Sequence, residues 1–485
     1  MTAFAKQHIR LALVALLVVG GLGAAGLAKE AKRDPRRTFW KAETGNTYAQ
    51  AADGNWTETT VAGNRFHFVT AALEKDYIEL LDAPRKVSIR LYADKAEIRI
   101  GDGDFAPFHK GKWEEPPKVA PAEKKQGENA SAASHEPPDR RMRMIYFVPK
   151  DRQPINEYEA KIRTVMGIVD SVYQAEFRRR RWKEAKLDFE LDEEDRPIVH
   201  LVRGKENAAH YSGAPNYNAD RQWQTFTPEI PPEIGAPHLN LIVGFLETYD
   251  EGPARFEWPG GVALGGRFSA DGGLGIFSAW LLKDDFTASS EAAQMRLFQD
   301  ATPIQGRTSL GHGRPNSPRF EFIEDGMGAV VHELGHALGL PHDQRQPFSI
   351  MGNGFRQLRN NFVAGAPLDR QAAFSDDCAR LLRCSRLANP TLDLADAEPP
   401  QVEFKVQDSG AGLVRLKVDA ADDGGLRAVV VFDVLADSIV AGQSLSKPKW
   451  SKTVPLSLKR NSEGGVQFRV IVADNGGQTT VKSYP

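Results

Sequence analysis

Residues 326–343 read GMGAVVHELGHALGLPHD. His332 and His336 are four apart, so on a helix both imidazoles leave the same face, one turn apart. That spacing suits two nitrogen ligands of one zinc ion, with metal distances of about 2.0–2.1 Å. Glu333, next to His332, can reach a water on such an ion without itself being a ligand. His342 lies six residues past His336. On a continuous helix it would be rotated by about 240° and stand about 9 Å further along. It can join the same site only if the helix stops and the chain turns back. Gly339 stands where that turn is needed, because glycine takes up positive φ without steric cost, and Pro341 discourages resumption of the helix. Three neutral histidines leave a fourth coordination position open, the pattern of a catalytic rather than a closed structural zinc site. Such an ion acidifies water and polarises a carbonyl, and Glu333 is placed to accept the water proton and return it to a departing amine. Val330, Val331, Leu334, Ala337 and Leu338 would serve a buried helix under any reading; the intact set of fixed positions favours the metal site.

The elements that must position this segment can be read from periodicity. MRMIYFVPKD, from residue 142, predicts a strand and a turn. Ile155, Tyr158, Ile162, Val165, Met166, Val169, Val172, Tyr173 and Phe177 then recur at three- and four-residue steps, which predicts a long amphipathic helix on a sheet. Its basic tail, Arg178 to Arg181, reads as a solvated helix end. PIVHLV, HLNLIVGFLE, GVALGG and GIFSAWLL predict further strands, so residues 141–395 are expected to form an α+β domain. Residues 36–113 contain short β-rich runs and predict a small β domain, with Trp40, Trp56 and Trp113 read as its core rather than as an aromatic platform. Residues 114–140 are rich in Pro, Ala, Glu and Lys and predict a flexible linker. Evenly spaced strands over 400–485 predict a β-sandwich of the immunoglobulin or fibronectin kind.

Composition narrows the classes of function. Lys+Arg number 62 against Asp+Glu 64, a net charge of −2, which argues against a protein built to bind nucleic acid or an anionic membrane. Lys6 and Arg10 precede an apolar run from Leu11 to Ala28, so residues 1–28 read as a signal peptide. An uncleaved anchor is the alternative. After cleavage no membrane contact is expected, and the protein would be secreted or extracytoplasmic, in a periplasm or at a cell surface. In an oxidising compartment Cys378 and Cys384 are expected to pair as a local disulfide. The Asp/Gly clusters at 422–425 and 270–273 invite a calcium reading but lack the ligand spacing of a recognised loop, so they are read as turns. His312, in a Gly-rich loop, is read as solvated.

HELGHALGLPH matches the extended zinc signature of the metzincin metallopeptidases, and the chain resembles that family over about 326–354. FSIMGNGF supplies Met351 nine residues after His342, similar to the family's methionine-containing turn. The resemblance implies His332, His336 and His342 as ligands of one zinc ion and Glu333 as general base. It implies Gly339 as the turn residue and Met351 as an apolar floor. Asp343 would buttress the turn, as in the adamalysin or reprolysin branch. Asn353 stands where some branches carry a metal-touching tyrosine. The implied fold is a mixed five-stranded-type sheet with long helices, flanked by the two β domains. The implied activity is hydrolysis of peptide bonds in a protein or peptide substrate aligned along a sheet edge, either GGVALGG or GIFSAWLL. The competing reading is an adhesion or matrix-binding protein whose metallopeptidase-like domain is only structural.

Overall fold

The computed structural model describes residues 37–50, 56–59, 65–82, 87–100, 103–114, 139–253, 256–261, 265–269, 271–306, 314–396, 398–408, 413–462 and 464–484. The expected signal peptide, most of the expected linker and His312 lie outside them. Two compact units divide the chain, residues 1–129 and 130–485.

In the first unit, eight antiparallel strands from Phe39–Ala42 to Ala106–Trp113 follow one another around a closed barrel, the first pairing with the last. Closure removes the unpaired strand edges that would otherwise invite association. Trp40, Tyr48, Trp56, Phe68, Leu80 and Leu91 fill the interior. Two of the three expected indoles are core: Trp40 Nε1 donates to the Tyr92 carbonyl (2.8 Å) and Trp56 Nε1 to Thr70 Oγ1 (3.0 Å), as buried indoles require, while Trp113 is half-buried and packs edge-on against Trp56.

The second unit is built on a mixed sheet. Strands Asp139–Val148, Asn240–Leu246 and Gly272–Ser278 lie side by side and parallel, and Gly265–Ser269 forms an antiparallel edge. On the far side, Asp188–Phe189 and Val199–Arg203 pair with successive stretches of Asp139–Val148, so six strands occupy five positions across the sheet. Asn240–Leu246 and Gly272–Ser278 are buried along their whole length, as central parallel strands covered on both faces should be. The helix Tyr158–Arg179 buries the predicted stripe, including Ile162, Val165, Val169, Val172 and Phe177. Its basic tail is not simply solvated. Arg180 donates to the Phe374 carbonyl (2.8 Å) and to Asp376 (2.9 Å), and Arg179 and Arg180 both reach Glu176. The tail therefore clamps the segment that follows Met351.

The helix Arg319–Ala337 carries the histidine motif and crosses the sheet at unusually close range. Glycines on the strands make the approach possible: a methyl added at Gly266 would collide with the Glu333 carbonyl oxygen and stand 2.7 Å from His336 Cβ. Tyr173 of the long helix donates to the Val331 carbonyl (3.1 Å), fixing the motif helix from the other side.

Seven strands over 401–484 form two facing sheets, one of three strands and one of four. Leu413–Ala421 alternates exposed and buried residues, whereas Leu426–Asp433 is buried almost throughout. The difference is structural. Val429 and Val431 face the sandwich interior, while Val430, Phe432 and Ile439 belong to the core of the preceding sheet-and-helix segment. The four-stranded sheet is therefore covered on both faces.

The cysteines do not pair. Both are buried free thiols. Cys378 lies in the helix Asp376–Leu382, in the core of the sheet-and-helix segment, and Cys384 packs with Ala428 and Ala473 of the sandwich. The helix ends at Leu382, and the turn after it carries Cys384 into a different cluster from Cys378, with Cys378 Sγ against the Pro341 carbonyl (3.6 Å) and Cys384 Sγ against the Arg380 carbonyl (3.2 Å). Burial pushes both thiols up to about 12, so neither is a ready nucleophile.

Two outcomes follow. Native, non-reduced protein should take up no thiol reagent until unfolded, then two equivalents, as counted by mass spectrometry. Gly266→Ala should lower stability by about 1–3 kcal/mol through overpacking, read as a lower denaturation midpoint with an unchanged slope.

Candidate metal centre

The motif helix ends as its sequence predicts. Gly339 has φ 93°, its N–H bonds to the His336 carbonyl (3.0 Å), and the Leu340 N–H reaches back to Gly335 (2.9 Å). This pair of bonds satisfies the last carbonyls of the helix and reverses the chain. The reversal brings His342 alongside the other two histidines. His342 Nε2 lies 3.2 Å from His332 Nε2 and 3.1 Å from His336 Nε2.

The opposite ring nitrogens decide what these contacts are. His332 Nδ1 lies 2.7 Å from the Ile350 carbonyl, His336 Nδ1 2.7 Å from the Leu340 carbonyl, and His342 Nδ1 2.6 Å from Asp437 Oδ2. A carbonyl or carboxylate oxygen only accepts, so each Nδ1 carries the proton and donates it. In a neutral ring that leaves Nε2 bare. Three proton-free lone pairs crowd one point and cannot hydrogen bond to one another. Burial keeps two of the rings neutral, holding His332 down to about 3 and His336 down to about 4. A cation fits this arrangement. Nitrogens about 2.0–2.1 Å from a tetrahedral zinc ion stand ~3.3 Å apart, close to the separations here.

The other expected residues take up distinct positions. Glu333 lines the same cleft, a cavity of about 430 Å³ walled by Phe277, Trp280, Leu281, Val330, Phe355 and Arg356. Burial pushes its carboxyl up to about 7. Met351 is fully buried beneath the histidines, its sulfur against Gly335 of the motif helix. The Asp343 N–H donates to the Met351 carbonyl (2.8 Å), and the Asp343 carboxylate, wholly buried, accepts from Arg345 Nε (2.8 Å) and Nη2 (2.6 Å). Arg345 also reaches Asp377 (2.7 Å). Asp343 thus ties the turn to the helix Asp376–Leu382 and takes no part in the histidine cluster. Of the two candidate sheet edges, Gly272–Ser278 is internal; the edge beside Glu333 is Gly265–Ser269.

Asp437 is the residue that the sequence reading missed. It sits in the hairpin turn between Leu426–Asp433 and Ser438–Ser444, at φ 50°, a left-handed conformation that aspartate tolerates. The hairpin is docked by the Ile439 N–H to the His342 carbonyl (3.0 Å) and by the Gln344 N–H to Ser438 Oγ (2.8 Å). The third histidine is therefore oriented by the sandwich. The hydrogen bond from His342 holds the Asp437 carboxyl below the usual range. In sequence this aspartate is one of many turn residues, with no local mark of its task.

Comparisons with known proteins bear on residues 161–388, which match the model of the Metallopep family, described as "Putative peptidase family". Over 120 residues, 24% of this chain, the sequence is 34% identical to a Schizosaccharomyces pombe protein named "Putative zinc metalloproteinase C607.06c"; the chain spans 18% of the length of that relative. Among solved structures it is similar to OgpA from Akkermansia muciniphila in a catalytically inactive form bound to an O-glycopeptide (glycodrosocin) substrate, with 14% identity and a TM-score of 0.49 over 72% of this chain and 93% of that one. Archaemetzincin from Methanopyrus kandleri gives 14% identity and a TM-score of 0.24, over 50% of this chain and 95% of that one.

A carboxylate behind a ligating histidine orients the ring and raises its basicity, and its loss typically costs 10–100-fold in metal affinity. Asp437→Asn, which keeps the left-handed turn, should weaken zinc binding by about that factor. Competition against a chromogenic chelator measures it, with circular dichroism reporting an unchanged fold.

Proposed function

We propose that this protein is a zinc-dependent endopeptidase of metzincin type, with His332, His336 and His342 as the ligands of one zinc ion and Glu333 as general base. The observation that carries the proposal is the convergence of three bare Nε2 atoms at 3.1–3.2 Å beside a carboxylate in an open cleft. The family match over 161–388 supports the coarser part of this reading, a metallopeptidase. A zinc ion held there supplies Lewis-acid polarisation and an acidified water.

The residues of the chain do the rest. Glu333, desolvated and raised towards neutrality, is matched to taking a proton near pH 7 and passing it to the departing amine. The free edge of Gly265–Ser269 offers backbone groups to an extended peptide, which would add to the sheet as a further strand. Trp280, Leu281, Val330 and Phe355 form an apolar wall for one substrate side chain. Arg356, 3.5 Å from Asp325, brings charge to the same pocket. Asp437 fixes the His342 tautomer from behind. Met351 and the Asp343–Arg345–Asp377 network hold the turn that carries His342. The adhesion reading is not favoured, since the general base and the ligand set share one accessible cleft. Export by the N-terminal apolar run belongs to the same proposal.

Glu333→Gln should reduce peptide hydrolysis by on the order of 10²–10⁴-fold while zinc content, measured by mass spectrometry of the native protein, stays at one per chain. Hydrolysis that survives the substitution would remove Glu333 from the mechanism, and hydrolysis that survives chelation would remove the metal. A second outcome concerns pH. The base must be ionised, and the added positive charge of the ion lowers its pKa further. Activity should therefore rise with pH along an acid limb whose midpoint lies at or below about 7, and this limb should be missing from the residual rate of Glu333→Gln.

A further inference from the structure

A second cluster of ligand-type groups lies away from the histidines. Asp396 follows the last turns of the peptidase-like segment. Asp422 stands in the turn after strand Leu413–Ala421, and Asp474 ends strand Phe468–Asp474. Distant in sequence, the three bring one carboxylate oxygen each to within 4.8 Å of one another.

The environment of these oxygens is that of a built site. Asp474 is fully buried and Asp422 is 9% exposed; Asp396 is half-buried at the mouth. Backbone N–H groups hold all three: Gln478 N donates to Asp474 Oδ1 (2.8 Å), the turn at Gly424 and Gly425 donates to Asp422, and Glu398 donates to Asp396. The remaining oxygens, Asp396 Oδ2, Asp422 Oδ1 and Asp474 Oδ2, are buried and accept no hydrogen bond. Asp396 Oδ2 and Asp422 Oδ1 face one small space over Gly424: a methyl added there would collide with the first and stand 3.4 Å from the second. Asp393 and Asp423 add further negative charge nearby. Arg386 offsets part of it from the backbone side, where it donates to the Gly476 carbonyl (2.8 Å) and to Asp271 (2.7 Å). Buried carboxylates aimed at one another without a proton or a cation are costly.

We propose that Asp396, Asp422 and Asp474 form a calcium site that ties the end of the peptidase-like segment to the sandwich. The donors are all oxygen, which suits a hard cation and not zinc. Calcium, with its flexible coordination by six to eight oxygens, accepts ligands from three separate chain segments more readily than magnesium, which demands near-ideal octahedral geometry. No linear loop is needed, which is why the DDGG run alone lacks the spacing of a recognised calcium motif. Burial and the neighbouring carboxylates raise the Asp474 carboxyl to about 7. Without an ion, stability should therefore fall as pH rises towards and past 7, and bound calcium would offset that loss. The ion would also brace the sandwich whose hairpin carries Asp437.

The test is titration of the zinc-saturated full chain with calcium chloride, followed by calorimetry and thermal melting. A single saturable site and a melting temperature raised by several degrees are expected, with a much weaker response to magnesium. Asp396→Asn, at the half-buried mouth and safest for folding, should reduce calcium affinity at least about tenfold, and Asp474→Asn should abolish binding. The proposal is overturned if the wild type gives neither heat nor a melting shift up to about 10 mM calcium, well above the range of typical extracellular modules. It is equally overturned if Asp396→Asn binds calcium as the wild type does. Stability that rises only with falling pH and ignores calcium would mean that the carboxylates share protons instead. None of these readouts depends on peptidase activity.

Discussion

Everything in the candidate site depends on where three protons sit. Each histidine of the cluster spends its Nδ1 proton on a fixed oxygen, two backbone carbonyls and one carboxylate. Only that arrangement leaves three Nε2 lone pairs facing one point. Were any ring turned over, a proton would enter the cluster and a cation would be repelled. The carbonyl of Ile350 is held by the methionine turn, the carbonyl of Leu340 by the helix-ending reversal at Gly339, and Asp437 by the hairpin of another β-sheet. Three unrelated pieces of local structure converge on one electrostatic requirement.

That requirement explains why the sandwich is not a loosely appended module. Its four-stranded sheet is apolar on both faces, one sealing the sandwich and the other sealing the peptidase-like core through Val430, Phe432 and Ile439. Burying an apolar face is worth about 25 cal/mol per Å². The docking is thus strong enough to hold a two-residue hydrogen-bonded contact, Ile439 to His342, in register with the side-chain pair Asp437–His342. The three aspartates gather beyond the opposite end of strand Leu426–Asp433, where Asp396 of the preceding segment meets the sandwich.

Close packing supplies the rest of the precision. The motif helix rests on glycine-bearing strands and on the methionine turn with no space for a methyl at Gly266 or Gly335. Interiors packed at crystal-like density move little, so the backbone that carries His332 and His336 is held firmly in place. Arg345 and the Arg179–Arg180 clamp add charged bonds at the periphery, where they hold segments in place more than they stabilise the fold.

The sequence by itself determined the cluster of three histidines, the neighbouring Glu333 and the reversal at Gly339, because helical spacing and the backbone freedom of glycine are local properties. It also made the long helix and most strands legible, since burial of one face imposes a period that can be read along the chain. It misleads at Cys378 and Cys384, where closeness in sequence is not closeness in space: the chain leaves the helix Asp376–Leu382 and packs Cys384 against the sandwich, away from Cys378. It was mute about Asp437 and about the meeting of Asp396, Asp422 and Asp474. The continuous apolar run LRAVVVF was the one available hint that this strand is covered on both faces. Only the tertiary structure decided which turn aspartate reaches His342 and which acidic residues gather, because those contacts join segments tens to about a hundred residues apart, and no local preference of the chain encodes a distance of that kind.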